Sequence, residues 1–271
     1  MKKSVVYLKK ISLALSVGLV IVMEFPAVAK VEPTSLPQNS PTSWQTIVAQ
    51  RRARLRFKVR GVGFSTRRTG ATSRGGCSAD RNAQPIRLLL PEFVRENQVD
   101  VESTIDARPT FFVHIPQTSA PQAEFQLLDD RGKQIYQKTF DLQSTPTVVV
   151  ISIPNSSDAP SLELGKTYKW KVALNCDPDD PTVDESGKPQ VIGSIKRVEP
   201  SVALANELKR NTRRDRPSIF AAAGRWNDTL TSLAQLRIAN PNDATLREDW
   251  KSLLDSVGLG KIAEAPLLPV I

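Results

Sequence analysis

Residues 109–154, PTFFVHIPQTSAPQAEFQLLDDRGKQIYQKTFDLQSTPTVVVISIP, decide the fold. In PTFFVHIP, prolines mark both ends of an apolar run. Phe111, Val113 and Ile115 fall on one side of an extended chain, and Phe112 and His114 on the other. That is the period of two expected of a β-strand. AEFQLLDD and KQIYQKTF flank Asp130-Arg131-Gly132, where the glycine can take a positive φ, so this pair predicts a hairpin. TVVVISIP is a further run. Outward from this stretch lie PIRLLLP (85–91), TYKWKVALNC (167–176) and QVIGSIKRVE (190–199). In the second of these, Tyr168 and Trp170 alternate with Thr167, Lys169 and Lys171, which places the aromatic rings inward. Prolines bound these runs and do not interrupt them, as strands require. About seven strands, separated by Pro and Gly turns with no helical pattern between them, predict a mainly β domain over 85–199. The expected class is an immunoglobulin-like β-sandwich.

Beyond Glu199 the period becomes helical. Val202, Ala205 and Leu208 predict a short helix. Trp226, Leu230 and Leu233 share a face at i, i+4 and i+7, and Leu246, Trp250, Leu253, Leu254 and Val257 share another. Two amphipathic helices, near 216–239 and 242–257, then form an antiparallel hairpin docked through Trp226, Leu230, Leu233, Trp250 and Leu254. Asn240 is expected as the N-cap of the second, with Pro241 in its first position, and Gly258 and Gly260 as its stop. The fold expected overall is mainly β with α: a sandwich followed by a C-terminal helical segment, 200–271.

The amino-terminal part reads differently. Lys2, Lys3, Lys9 and Lys10 precede an uncharged run, Ile11 to Met23, and Ala27-Val28-Ala29 supplies small residues. This is the pattern of an export signal with cleavage after Ala29, the rival being an uncleaved anchor. A run of this length is too short for a bilayer core, which needs about 20 residues. Residues 30–50 are rich in Pro, Ser, Thr and Gln and read as a flexible linker. A basic, Gly-rich arm follows over 51–84. Removing residues 1–29 would lower the net charge from +9 to +6, because four lysines and Glu24 leave. Residues 51–87 hold eleven basic residues and one acid, Asp80, so the rest of the mature chain sums to −4. Charge is segregated along the chain, which is more informative than the overall balance.

Arg51, Arg52, Arg54, Arg56, Lys58 and Arg60 are the candidate polyanion-binding residues. Leu55, Phe57 and Val59 alternate with four of them in strand-like fashion. Phosphates, sulfates or uronates could be neutralised here. Nucleic acid is a poor partner, since no nucleic-acid motif accompanies the charge. Cys77 and Cys176 are the only cysteines. An even pair in an exported chain predicts a disulfide between them, and separate buried thiols are the competing reading. The bond would bring Arg74 and Arg81 near Asp177, Asp179 and Asp180 and leave the stretch from Arg51 to Arg60 free.

Little points to catalysis. His114 is the sole histidine, and a structural place on a half-buried strand outweighs a general-base role. No GxSxG element occurs, and no Ser or Cys has a histidine placed to activate it. Two cysteines and one histidine are poor zinc ligands. The acidic stretch CDPDDPTVDE lacks the spacing and glycine of a calcium loop and reads as a solvated turn. No cofactor and no metal are expected.

SRGGC ahead of LLLPE, then PTFFVHIP, AEFQLLDD, LELGKTYKWKVALNCDP and WNDTLTSLAQLRIANPND occur in that order. Taken together they resemble an exported cyanobacterial family of unknown function, numbered nine-two-eight among such domains. The resemblance covers roughly residues 70–265. It implies an exported protein of two parts and brings no activity with it. The family often has a Pro/Gly-rich segment before RGGC, where this chain has RFKVRGVGFSTRR.

The function expected is a non-enzymatic binding or adaptor module of the cell envelope, periplasmic or extracellular. Its partner would be an anionic envelope polymer or another envelope protein, with no transmembrane span after signal removal. An envelope hydrolase with an unrecognised carboxylate pair and a purely structural envelope protein remain as alternatives. A deep cleft with two convergent carboxylates would favour the hydrolase, and a flat sandwich with an exposed basic or apolar face would favour the binder.

Overall fold

A computed structural model describes residues 54–57, 77, 85–91, 102–178 and 188–270, all within one compact unit, Arg51–Ile271. The expected export signal and linker lie outside the described residues. The fold is mixed α and β with more strand than helix. Among the described residues it has nine strands in two sheets, four α-helices and a short 3₁₀ turn.

The seven expected strands are β1 (Arg87–Leu88), β3 (Thr110–Ile115), β4 (Gln122–Leu128), β5 (Gln134–Asp141), β6 (Thr147–Ser152), β7 (Thr167–Asn175) and β8 (Gln190–Arg197). Two more are β2 (Glu102–Thr104) and β9 (Leu267–Val270). β1 is only two residues long, although Leu89 N–H still donates to the Phe112 carbonyl of β3 at 3.1 Å. The first sheet has the order β1-β3-β6-β9 and the second β2-β8-β7-β4-β5. β2 runs parallel to β8, and β9 parallel to β6. These two parallel pairs depart from the antiparallel sheets of an immunoglobulin-like sandwich. The hairpin is formed by β4 and β5, with Gly132 at φ 81° and the Asp129 carboxylate accepting from the Arg131 and Lys133 amides.

One apolar core lies between the sheets. Phe111, Val113, Ile115, Val149 and Ile151 reach it from the first sheet, and Phe125, Leu127, Trp170, Val172 and Ile195 from the second. Gly193 sits opposite Trp170, and a Cβ there would meet the indole ring at 2.5 Å, so glycine lets the largest core side chain lie flat on β8.

The sheets differ on their other faces. β4 alternates between buried and half-buried positions, so the second sheet turns a polar face to solvent. β3 is buried at every position and β6 at five of six. Phe112, Val148 and Val150 point away from the inter-sheet core into a second core, shared with the helices. The order of layers is therefore helices, first sheet, second sheet. Both faces of β3 and β6 are covered, which is why these strands are apolar almost throughout.

The helices are α1 (Val202–Arg210), α2 (Arg216–Ala222), α3 (Trp226–Ala239) and α4 (Ala244–Asp255), with a 3₁₀ turn at Gly260–Ile262. The helix expected near 216–239 is two helices. Gly224, at φ 70°, ends α2 in a Schellman motif, with Arg225 N–H donating to the Phe220 carbonyl and Gly224 N–H to that of Ala221. Asp243, rather than Asn240, caps α4 by accepting from the Thr245 and Leu246 amides, while Asn240 closes α3. α1 buries Leu204 and leaves Val202 80% exposed, so its apolar face is not the expected one. Trp226, Leu230, Leu233, Trp250 and Leu254 do meet in the second core. Trp226 also donates its indole N–H to the Leu89 carbonyl at 2.7 Å, which ties α3 to the end of β1. Since β9 follows the helices and returns to the first sheet, residues 200–271 are built into the same unit as the strands.

Candidate anion-binding surface

Within the stretch expected to be free, Arg51 to Arg60, the described residues 54–57 are docked. Residues 54–57 lie extended against α3 and α4. Leu55 and Phe57 are buried in the second core, and the Phe57 ring meets the edge of Trp226 at 5.0 Å between centroids. Their amides are held from α4: Leu55 N–H donates to Asp249 Oδ1 at 3.3 Å and Phe57 N–H to Ser256 Oγ at 3.0 Å. An extended chain that buries every second side chain must turn the others outward. Arg54 and Arg56 are accordingly exposed. The correction to the expected free arm has a simple cause: its alternating apolar residues complete a core that the helices leave open. Arg51, Arg52, Lys58 and Arg60 lie outside the described residues.

Cys77 and Cys176 form a disulfide, with Cα atoms 5.0 Å apart and 99 residues of separation. It joins the arm to the end of β7. Ser119 adds to this anchorage by donating both its hydroxyl and its amide to the Cys77 carbonyl. A loop of this length gives about 4.7 kcal/mol in the chain-entropy picture, and natural bonds more often about 2–4. Arg74, Arg81, Asp179 and Asp180 lie outside the described residues, and Asp177 is exposed.

A second cationic surface was not foreseen as such. The solvent face of the second sheet carries Lys169 and Lys171 from β7 and Lys196 from β8. Lys169 and Lys171 are two residues apart on one strand, which sets them about 7 Å apart at the backbone. Lys196 stands opposite Thr167, diagonal to Lys169, at about 7–8 Å. Gln122, Gln126, Gln190 and Ser194 fill the same face, and Ile192 is 58% exposed among them. Glu124 is engaged by the Gln126 amide and Asp141 by that of Gln122. The face is therefore flat, polar and net basic. The alternation in TYKWKVALNC contained this signal, since placing Tyr168 and Trp170 inward sends the intervening lysines outward.

The titratable groups within the fold read as structural. His114 is buried on β3 with its Nδ1 unpartnered among the described residues. Burial, with Arg87 close by, pushes its pKa down to about 4, so the ring is neutral at pH 7. A neutral, covered imidazole has no access to a substrate proton. Two carboxyls meet where α3 enters the strands. Asp228 accepts from Thr104 Oγ1 at 2.8 Å and from the Ile105 amide. Burial raises its pKa to about 6, against the hydrogen bonds from Thr104 and Ile105 and the nearby Arg225. Burial pushes Glu102 up to about 8, with Asp228 adding to the rise and a hydrogen bond with Asn227 opposing it. The Asn227 amide group also donates to the Thr110 carbonyl at 2.9 Å. This seam fastens α3 to β2 and β3. Neither carboxyl lines the cleft formed by Arg87, Lys251, Asp255 and residues 258–262. Among those residues no cluster of three or more metal-ligating side chains occurs, and no helix is long and apolar enough to cross a membrane.

Two facing sheets under a helical layer, with cations on the outer sheet face and on a docked strap, define a scaffold that displays charge. The chain belongs to the family described as Domain of Unknown Function (DUF928), whose model matches residues 69–267. Comparison with curated proteins gave no match. The matched region contains the lysine face and both cysteines. The docked strap at 54–57 lies before it.

Proposed function

We propose that this protein is an exported, non-enzymatic module of the cyanobacterial cell envelope that holds an anionic polymer. The observation that carries the proposal is the strap at 54–57: Leu55 and Phe57 are anchored in the second core while Arg54 and Arg56 face solvent. Anchored cations lose less conformational freedom on binding than cations on a loose tail. The lysine face of the second sheet supplies a second cationic contact area. In this reading the facing sheets serve as an immunoglobulin-like sandwich does, as a rigid frame that displays charge. The disulfide supports export, since such bonds persist in oxidising compartments. The family brings no named activity.

The test is binding to a sulfated or uronic polymer at low and near-physiological salt. Wild type is compared with Arg54→Ser/Arg56→Ser and with Lys169→Ser/Lys196→Ser. Each pair of lost cations should weaken binding and flatten the dependence of log affinity on log salt by roughly one to two contacts. Equal binding and equal salt dependence in all three chains would remove both surfaces from the function.

A further inference from the structure

We propose that the cleft where α4 ends beside β1 is a separate site for a small anionic group: a carboxylate, sulfate or phosphate. The cleft is shallow and open to solvent, with a volume of about 500 Å³, and is lined by Arg87 of β1, Lys251 and Asp255 of α4, and the loop Gly258 to Ile262. That volume suits a sugar-sized ligand.

The local chain explains the construction. Gly258, at φ 75°, ends α4 in a Schellman motif, with Leu259 N–H donating to the Leu254 carbonyl and Gly258 N–H to that of Asp255. Gly260 then lies so close to the Asp255 side chain that a Cβ could not be accommodated without displacing it. The loop folds tightly onto the helix end, and Lys261 joins Arg87 and Lys251 around one space.

The charges decide what that space accepts. Three cations face one carboxylate. The C-terminal end of a helix contributes about half a negative charge. Counting Glu264, which pairs with Lys251 at the rim, the cleft keeps roughly half a positive charge beyond what neutralises the helix end. These cations are also available. Lys251 pairs with Glu264 at 3.3 Å, but Glu264 is 80% exposed, and such a pair is weak in water. Lys261 is exposed and makes no hydrogen bond or ion pair with another described residue. Arg87 stands in register with His114, which is neutral and adds no competing charge. Arg54 and Arg56 do not line this cleft, so the site does not rest on the polymer-binding proposal.

The full chain, with its disulfide intact, is titrated with inorganic phosphate, sulfate and glucuronate. Ionic strength is held constant with chloride, and binding is followed by amide NMR shifts and by thermal stability. The expected result is saturable binding of at least one anion, with a Kd below about 10 mM and shifts centred on Gly258 to Ile262. Lys261→Ala should weaken it at least about fivefold, the effect of one unit charge near 4 Å in water. Arg54→Ser/Arg56→Ser should leave it unchanged. Lys261 is exposed, so its removal tests the site even if Arg87→Ala impairs folding. Which anion saturates identifies the group recognised. A linear, unsaturated response to all three anions, or the same affinity in Lys261→Ala, would overturn the proposal.

Discussion

Replacing Glu102 by Gln should change how stability depends on pH. The carboxyl sits in the seam where α3 meets β2, beside Asn227 and Asp228, and its pKa in the folded chain is about 8 against 4.5 for the free group. An acid whose folded pKa is raised keeps its proton on folding while the unfolded chain loses it. Its contribution is fully present below the unfolded pKa and is lost as pH rises through the folded one. Asp228, at about 6 in the folded chain, acts in the same direction below that pH. His114 acts oppositely: with a folded pKa of about 4, its contribution grows as pH rises towards 6.5. The three overlap below pH 6.5; between 6.5 and 8 Glu102 dominates, while His114 still returns about 0.4 kcal/mol as the unfolded imidazole, half protonated at 6.5, loses its remaining proton. Over that window the native state holds nearly one extra proton at the start and half of one at the end. At about 1.4 kcal/mol per pH unit per proton, Glu102 should cost roughly 1.6 kcal/mol, so the wild type should lose roughly 1.2 kcal/mol net of His114. Glutamine resembles the neutral acid in shape and cannot ionise, so Glu102→Gln should lose far less. Urea denaturation at pH 6.5 and pH 8 measures both slopes. Both cysteines are in the disulfide, so no free thiol complicates the higher pH. Parallel losses in the two chains would refute the reasoning, because Glu102 would then be ionised across the window.

Trp250→Ala, a fully buried anchor of the helical layer, should cost about 3–5 kcal/mol. Phe57→Ala should cost less than Trp250→Ala, because the short strap can undock; its signature is loss of hydrogen-exchange protection at the Leu55 and Phe57 amides, which Asp249 and Ser256 now hold. Gly193→Ala should destabilise by about 1–3 kcal/mol through overpacking against Trp170 and should perturb near-ultraviolet tryptophan dichroism.

The strands that stood out in the sequence are those with enough apolar side chains to mark a period. β4 and β7 alternate because one face is wet. β3 and β6 carry a further message in their unbroken apolar runs, namely that something covers the second face. Reading only the alternation of Phe111, Val113 and Ile115 left Phe112 unexplained, and it is Phe112 that meets Trp250 across the helical layer. β2 and β9 could not be foreseen in this way. EST carries no apolar residue, and LLPV is four residues long and includes proline. Each takes a place beside a long strand that is already formed. The helical faces of α3 and α4 were legible because Trp and Leu recur every three or four residues. The break at Gly224 was not, because the apolar residues around it do not lose their period. The seam of Glu102, Asn227 and Asp228 has no sequence signature at all, since its parts come from a polar strand and from the first turn of a helix.

The arm shows why charge alone misled about its placement. Its cations are the most conspicuous feature of the sequence, yet its position is set by Leu55 and Phe57 between them. The two readings are compatible because an extended chain has two sides. Phe57 anchors one end of the following stretch in the second core, and the Cys77–Cys176 bond fixes the other end to β7. Lys58, Arg60, Arg67, Arg68 and Arg74 all fall between those two anchors. Since the family match begins at residue 69, the apolar anchor lies before the matched region and the covalent one within it. Of the cations between them, Lys58, Arg60, Arg67 and Arg68 precede the matched region and Arg74 lies within it.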